Sequence, residues 1–226
     1  MASDLDRVAR GRLRTLSKEN ADGVARHLVM AGRLVDEEPE LAYEHAQAAV
    51  RRAGRVDVVR EAAGLTAYRT GRFAEALREL RTVRRLNGSS EHLAIMADCE
   101  RGLGRPERAL ALALEDGAGE LSTESAVELA LVVAGARLDL EQPDAAMMVL
   151  QAPVVLGATG ELAERVAGVR ADVLDALGRT EEANALRATL PDVDEEIVVV
   201  DLTEEEDAPV SEDATSPTGG PDAAEH

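Results

Sequence analysis

Tryptophan is absent from these 226 residues, and only Tyr43, Tyr68 and Phe73 are aromatic. That scarcity excludes most β-sandwich and barrel cores, which pack on aromatic residues, and RNA platforms built on stacked rings. A single cysteine, Cys99, leaves no internal disulfide to staple the fold. Long apolar runs are missing too. The longest uncharged stretch, Ala145 to Gly160, is too short to span a bilayer and is interrupted by Gln151 and Pro153. No segment joins a basic start to an apolar core and a small-residue cleavage site, so the expected location is cytoplasmic, with no membrane partner. Lysine occurs once, at Lys18, and arginine supplies the remaining basic side chains. Alanine, leucine, valine, arginine and glutamate are plentiful, a mixture that favours helices packed through small aliphatic side chains.

The formal charge of -19 is unevenly spread. Residues 191–226 hold 13 acids and no Lys or Arg, giving -13. Residues 1–88 hold 17 basic and 13 acidic side chains (+4), and residues 89–190 hold 8 and 18 (-10). The body is therefore polarised along the chain.

A repeat runs through that body. Ala42, Ala76, Ala109, Ala146 and Ala183 are separated by 34, 33, 37 and 37 residues. Twelve residues before them stand Met30, Gly64, Ala97, Ala134 and Ala171, four of which are small enough for two helices to cross closely. Three residues before the anchors stand Pro39, Phe73, Pro106, Pro143 and Thr180, followed by Glu40, Ala74, Glu107, Asp144 and Glu181. Proline or a capping threonine followed by an acid marks a helix start. Five residues before the anchors, Gly71, Gly104 and Gly178 supply turns, while Glu37 and Glu141 occupy the equivalent places in the first and fourth copies.

This pattern resembles the tetratricopeptide repeat, a helix-turn-helix unit of about 34 residues. The second copy is clearest, with Gly64, Tyr68, Gly71, Phe73, Ala76, Leu77, Leu80, Val83 and Leu86 at or within one place of the family's apolar and small positions. The usual closing proline is replaced by Gly88, and the early tryptophan by Arg60. The wording of the chain also looks like small actinobacterial proteins of this class. The resemblance implies an all-α, right-handed solenoid of five degenerate repeats over 22–190, preceded by a capping helix in 1–21 and followed by a disordered acidic tail, 191–226. First helices are expected near 22–36, 56–70, 90–103, 123–139 and 161–177, and second helices near 39–53, 73–86, 106–115, 143–151 and 180–189. A leading amphipathic helix, Leu5 to Leu16, presents Leu5, Val8, Leu13 and Leu16. The stretches Glu115 to Ser122 and Gln151 to Gly160 read as loops.

No constellation for catalysis, cofactor binding or metal binding stands out, and no enzyme is expected. His27, His45 and His92 are assigned to different repeats and form no His-Glu-x-x-His pattern. Cys99 sits between Asp98 and Glu100, which oppose thiolate formation. Arg78, Arg81 and Arg85, with Arg84 and with Arg51, Arg52 and Arg55, could contact phosphates, but they alternate with acids and read as a solvated face paired with Glu75 and Glu79.

By resemblance, a groove lined by first helices would present Glu61, Tyr68, Arg69, Glu91, Asp98, Arg101, Asp139, Arg165, Asp172 and Asp175. Its mixed lining, more acidic toward the C-terminal end, suits a peptide or partner helix bearing Arg or Lys. The lysine and asparagine clamp of the chaperone-binding members is replaced by His27, Ala31, Glu61 and Leu65. The expected function is a non-catalytic scaffold or adaptor with another protein as partner. The alternative is a nucleic-acid or ribonucleoprotein accessory factor using the N-terminal arginines, with the acidic tail as autoinhibitor. Within the tail, Ile197, Val198, Val199, Val200 and Leu202 form a β-prone run flanked by acids, suited to adding to a sheet edge, covering the last repeat or capping it.

Overall fold

A computed structural model describes residues 1–191. The acidic tail beyond Pro191, with its run Ile197, Val198, Val199, Val200 and Leu202, lies outside the described residues. Among the described residues the fold is all-α, with twelve α-helices and no strand, and Met1–Leu190 form one compact unit. No described helix is long and apolar enough to cross a membrane.

The helices are α1 (Arg7–Arg12), α2 (Lys18–Leu34), α3 (Pro39–Ala53), α4 (Asp57–Arg69), α5 (Phe73–Asn87), α6 (Leu93–Gly102), α7 (Pro106–Leu112), α8 (Thr123–Asp139), α9 (Pro143–Leu150), α10 (Pro153–Leu156), α11 (Glu161–Ala176) and α12 (Thr180–Arg187). Consecutive helices pack in pairs, α2 with α3, α4 with α5, α6 with α7, α8 with α9 and α11 with α12. Each pair also packs on the next, through α3 on α4, α5 on α6, α7 on α8 and α9 on α11.

Alanine sets the closeness of the pairs. All five anchors, Ala42, Ala76, Ala109, Ala146 and Ala183, are fully buried, as are Ala97, Ala134 and Ala171. Gly64 does the same work between α4 and α5, since a Cβ there would stand 2.7 Å from Leu80 Cδ2. In the first pair the small contact residue is Ala31, beside the half-buried Met30.

The turns share one construction. Gly71, Gly104 and Gly178 have φ of 70°, 69° and 75°, and Glu141 takes the same left-handed role with φ of 58°. After each, the next residue's N–H donates to a carbonyl five residues back: Arg72 to Ala67, Arg105 to Glu100, Gln142 to Arg137 and Arg179 to Leu174, at 2.8–2.9 Å. With the N–H of Gly71, Gly104, Glu141 and Gly178 donating to the carbonyls of Tyr68, Arg101, Leu138 and Asp175, the helix end is closed twice, which requires a left-handed residue at the centre. Between α2 and α3 the link is one residue longer, and the Glu38 N–H bonds to the Leu34 carbonyl in ordinary helical fashion, so Glu37 needs no positive φ.

The N-terminal helix departs from expectation. It breaks after Arg12 into a 3-10 turn, Leu13–Thr15, and this change of pitch takes Val8 off the packed face. Leu13 is buried with Leu5 and Leu16 against Val24, Leu28 and Val59, whereas Val8 is exposed. α2 begins at Lys18 and so starts before the expected position 22. The loop expected over Gln151 to Gly160 contains α10, whose Val155 is buried on the α8–α11 core.

Candidate functional site

Four of the paired helices, α4, α6, α8 and α11, contribute to one cavity of about 860 Å³. Leu65, Ala94, Ile95, Leu131, Val132 and Val169 provide apolar lining, and Asp36, Tyr68, Arg69, Glu91, Asp98, Arg101, Glu128, Arg165 and Asp172 provide polar lining. Seven of the ten residues assigned to the groove by sequence thus share this cavity: Tyr68, Arg69, Glu91, Asp98, Arg101, Arg165 and Asp172. Three do not line it. Glu61 turns to His92, with Oε1 3.0 Å from the ring Nε2. Asp139 lines a neighbouring depression with Asp98, Arg101 and Glu107, and Asp175 faces Arg187.

Much of the polar lining is tied up in ion pairs and hydrogen bonds, several of which join successive helix pairs. Tyr68 Oη donates to Asp98 Oδ2 at 2.6 Å, and Arg101 Nη1 donates to Asp98 Oδ1 at 2.9 Å. Arg101 also makes a two-pronged contact with Asp139, at 2.8 and 3.2 Å. Its guanidinium lies flat over Gly135 of α8, where a Cβ would stand 2.6 Å from its carbon. Burial alone would lower the pKa of Arg101, but its hydrogen bonds to Asp139 and the charges of Asp139 and Asp98 raise it, so the cation is held firmly. Burial first, and then the hydrogen bond to Asp98, raise the Tyr68 hydroxyl well above its usual range and keep it a donor. Arg69 pairs with Asp36, Arg165 with Glu128, and Arg187 with both Asp172 and Asp175. Glu91 has no ion-pair partner among the described residues.

Apart from Leu65, which the resemblance set at a clamp position, the apolar lining and the acids Asp36 and Glu128 escaped sequence reasoning. One signal was present: α8 reads Val127 to Ala136 with only Glu128 charged and with no single apolar stripe. A helix apolar all round must meet protein or ligand on more than one face. Glu128 also stands 37 residues before Arg165, close to one repeat.

Away from the cavity, the assignment of the histidines to separate repeats is corrected. His27 of α2 and His45 of α3 belong to one helix pair, with Nδ1 atoms 3.0 Å apart and ring centroids 5.3 Å apart. The nitrogens therefore lie nearly on the line between the rings, facing each other as in an N–H···N hydrogen bond. The helical turn of each helix brings them together across a four-residue link, a pairing that spacing along the chain does not reveal.

The arginine face is partly compensated. Arg78 meets Glu79 and Glu75, Arg81 reaches Glu100 at 2.9 Å in the next pair, and Arg84 pairs with Glu115. Arg51, Arg52, Arg55 and Arg85 are exposed. Cys99 is fully buried, and burial, then Asp98 and Glu100, push its thiol up to about 12, so the neutral thiol fills the core between α4 and α8. No family model matches the chain, and no curated protein or solved structure matches it.

Proposed function

We propose that the chain is a tetratricopeptide-like, right-handed solenoid that acts in the cytoplasm as a non-catalytic protein-interaction scaffold, holding a peptide or helix of its partner in the cavity bordered by α4, α6, α8 and α11. The observation that carries this reading is the pairing of an apolar floor with a rim of preformed ion pairs. Apolar surface supplies affinity, and fixed charges supply register and selectivity. Several polar contacts span about one repeat: Tyr43 to Glu75, Tyr68 to Asp98, Arg72 to Glu40 and Arg84 to Glu115, separated by 32, 30, 32 and 31 residues. Neighbouring units linked at equivalent places are what a stack of repeats requires.

Capture from native cell extract, repeated after nuclease digestion and at raised salt, tests the reading. The expected outcome is a protein that survives nuclease and is lost when Val132→Asn breaks the apolar floor. Capture that depends on nucleic acid and ignores Val132 would replace the scaffold with the accessory-factor reading.

A further inference from the structure

Asp98 and Asp172 of the cavity share their cations with Asp139 and Asp175, which lie outside it toward the C-terminal ends of α8 and α11. Asp139 is the last residue of α8 and Asp175 lies in the last turn of α11, while Asp98 and Asp172 each lie four residues before the ends of α6 and α11. A helix carries partial negative charge at its C-terminus, so carboxylates there are disfavoured and basic residues are the usual choice. The last turn of α11 has no basic residue, and Arg137 in the last turn of α8 turns away to Gln142. Compensation from elsewhere is incomplete. Arg101 is shared by Asp98 and Asp139, and Arg187 by Asp172 and Asp175, so four carboxylates divide two guanidiniums. Asp175 Oδ1 is buried with no hydrogen-bond partner. Arg69 and Arg165, in contrast, are each balanced by one acid. The carboxylates that end α8 and α11 run against the basic choice made at α3 (Arg51, Arg52), α5 (Arg84, Arg85) and α6 (Arg101), while α7, α9 and α10 carry no basic residue in the last turn.

We propose that the occupant of this cavity is a basic amphipathic segment of a protein partner. Its apolar stripe lies on Leu65, Ile95, Val132 and Val169, and its Lys or Arg side chains reach Asp98 and Asp172 in the cavity and Asp139 in the adjoining depression. The inference rests on the scaffold reading and adds the chemistry of the partner. Incoming cations meet two carboxylate charges in excess of the two guanidiniums and the negative ends of α8 and α11, while a phosphate backbone meets repulsion at the same place.

The test uses two synthetic amphipathic helical peptides, about 18 residues long, with one leucine stripe in common and flanks of Lys in one and Glu in the other. Binding to the full chain is read by fluorescence anisotropy, with circular dichroism confirming that each protein variant is folded. Because the acidic residues beyond 190 attract any cation, a preference for the Lys peptide is not enough, and the decisive readout is the effect of substitutions in the body. Asp139→Asn combined with Asp172→Asn is expected to weaken the Lys peptide about fivefold and leave the Glu peptide unchanged. Val132→Asn is expected to weaken both peptides. If Val132→Asn weakens binding and the double variant does not, the groove stands and the basic-partner inference falls. If neither change matters, both fall. A single-stranded oligonucleotide that competes with the Lys peptide at these carboxylates would also overturn the inference.

Discussion

A proton shared between His27 and His45 requires at least one neutral ring, because two imidazolium ions have no acceptor to offer each other. Burial lowers the pKa of His27 first, followed by His45 and then Arg52, Arg51 and Arg26. Tyr43 and Glu44 of α3 border the same recess, and α4 meets α2 and α3 through Ala62 and Ala63. A histidine whose folded pKa lies below its unfolded value of about 6.5 binds fewer protons folded than unfolded in that interval. Its contribution to stability is therefore intact above about pH 6.5 and is lost as the pH falls through the folded pKa. Urea denaturation from about pH 8 to about pH 5 should show stability falling toward acid, with a shallower fall in His27→Leu. An identical slope in that variant would remove His27 as its source. Glu141 makes a second prediction. It holds a left-handed φ of 58° without glycine's freedom. Glu141→Gly should raise stability by up to about 1 kcal/mol, and Gly71→Ala, where a Cβ meets nothing within 4 Å, should lower it by about 1 kcal/mol through φ alone. Chemical denaturation of both variants checks the pair, and a stabilised Gly71→Ala would contradict the account of the turns.

At the scale of the element, the helix pairs depend on close approach. Ala76 and Ala109 are fully buried where larger side chains would separate the backbones. Ala76→Leu or Ala109→Leu should destabilise the fold by about 1 to 3 kcal/mol through overpacking. Unchanged melting in both would undo the role given to these alanines. Helices α3, α7, α9 and α12 were legible because proline or threonine, an acid and an alanine recur at fixed offsets at their starts. α10 was not legible: it has four residues and no equivalent in other repeats, and its single strong anchor is buried Val155. The break after Arg12 was equally hidden, because Leu5, Val8, Leu13 and Leu16 fit one helical face until the 3-10 turn shifts their phase.

At the scale of the whole chain, every core cluster among the described residues draws its buried residues from between Leu13 and Ala183. A chain ending at Leu190 should therefore melt at the same temperature as the full chain, and a clear drop in differential scanning calorimetry would show that later residues support the body. Removing 13 negative charges leaves the body at -6 and relieves some self-repulsion, so a small rise is compatible with the same view.

The sequence by itself determined the helical class, the period and most helix starts, because these follow from local chemistry: proline at a first turn, glycine at a turn, and alanine at a crossing. It also placed six polar residues of one cavity on the helices where they lie, and a seventh, Glu91, just before α6. Only the tertiary structure decided which acids share Arg101 and Arg187, that Glu61 turns to His92, that His27 meets His45, and that Leu65, Ile95, Val132 and Val169 line a cavity instead of filling the core. The reason is physical. A helix's own spacing tells which residues share its face, but which neighbour that face meets depends on how the pairs rotate and translate against each other, and that is set by the summed packing of buried alanine, leucine and valine across the unit.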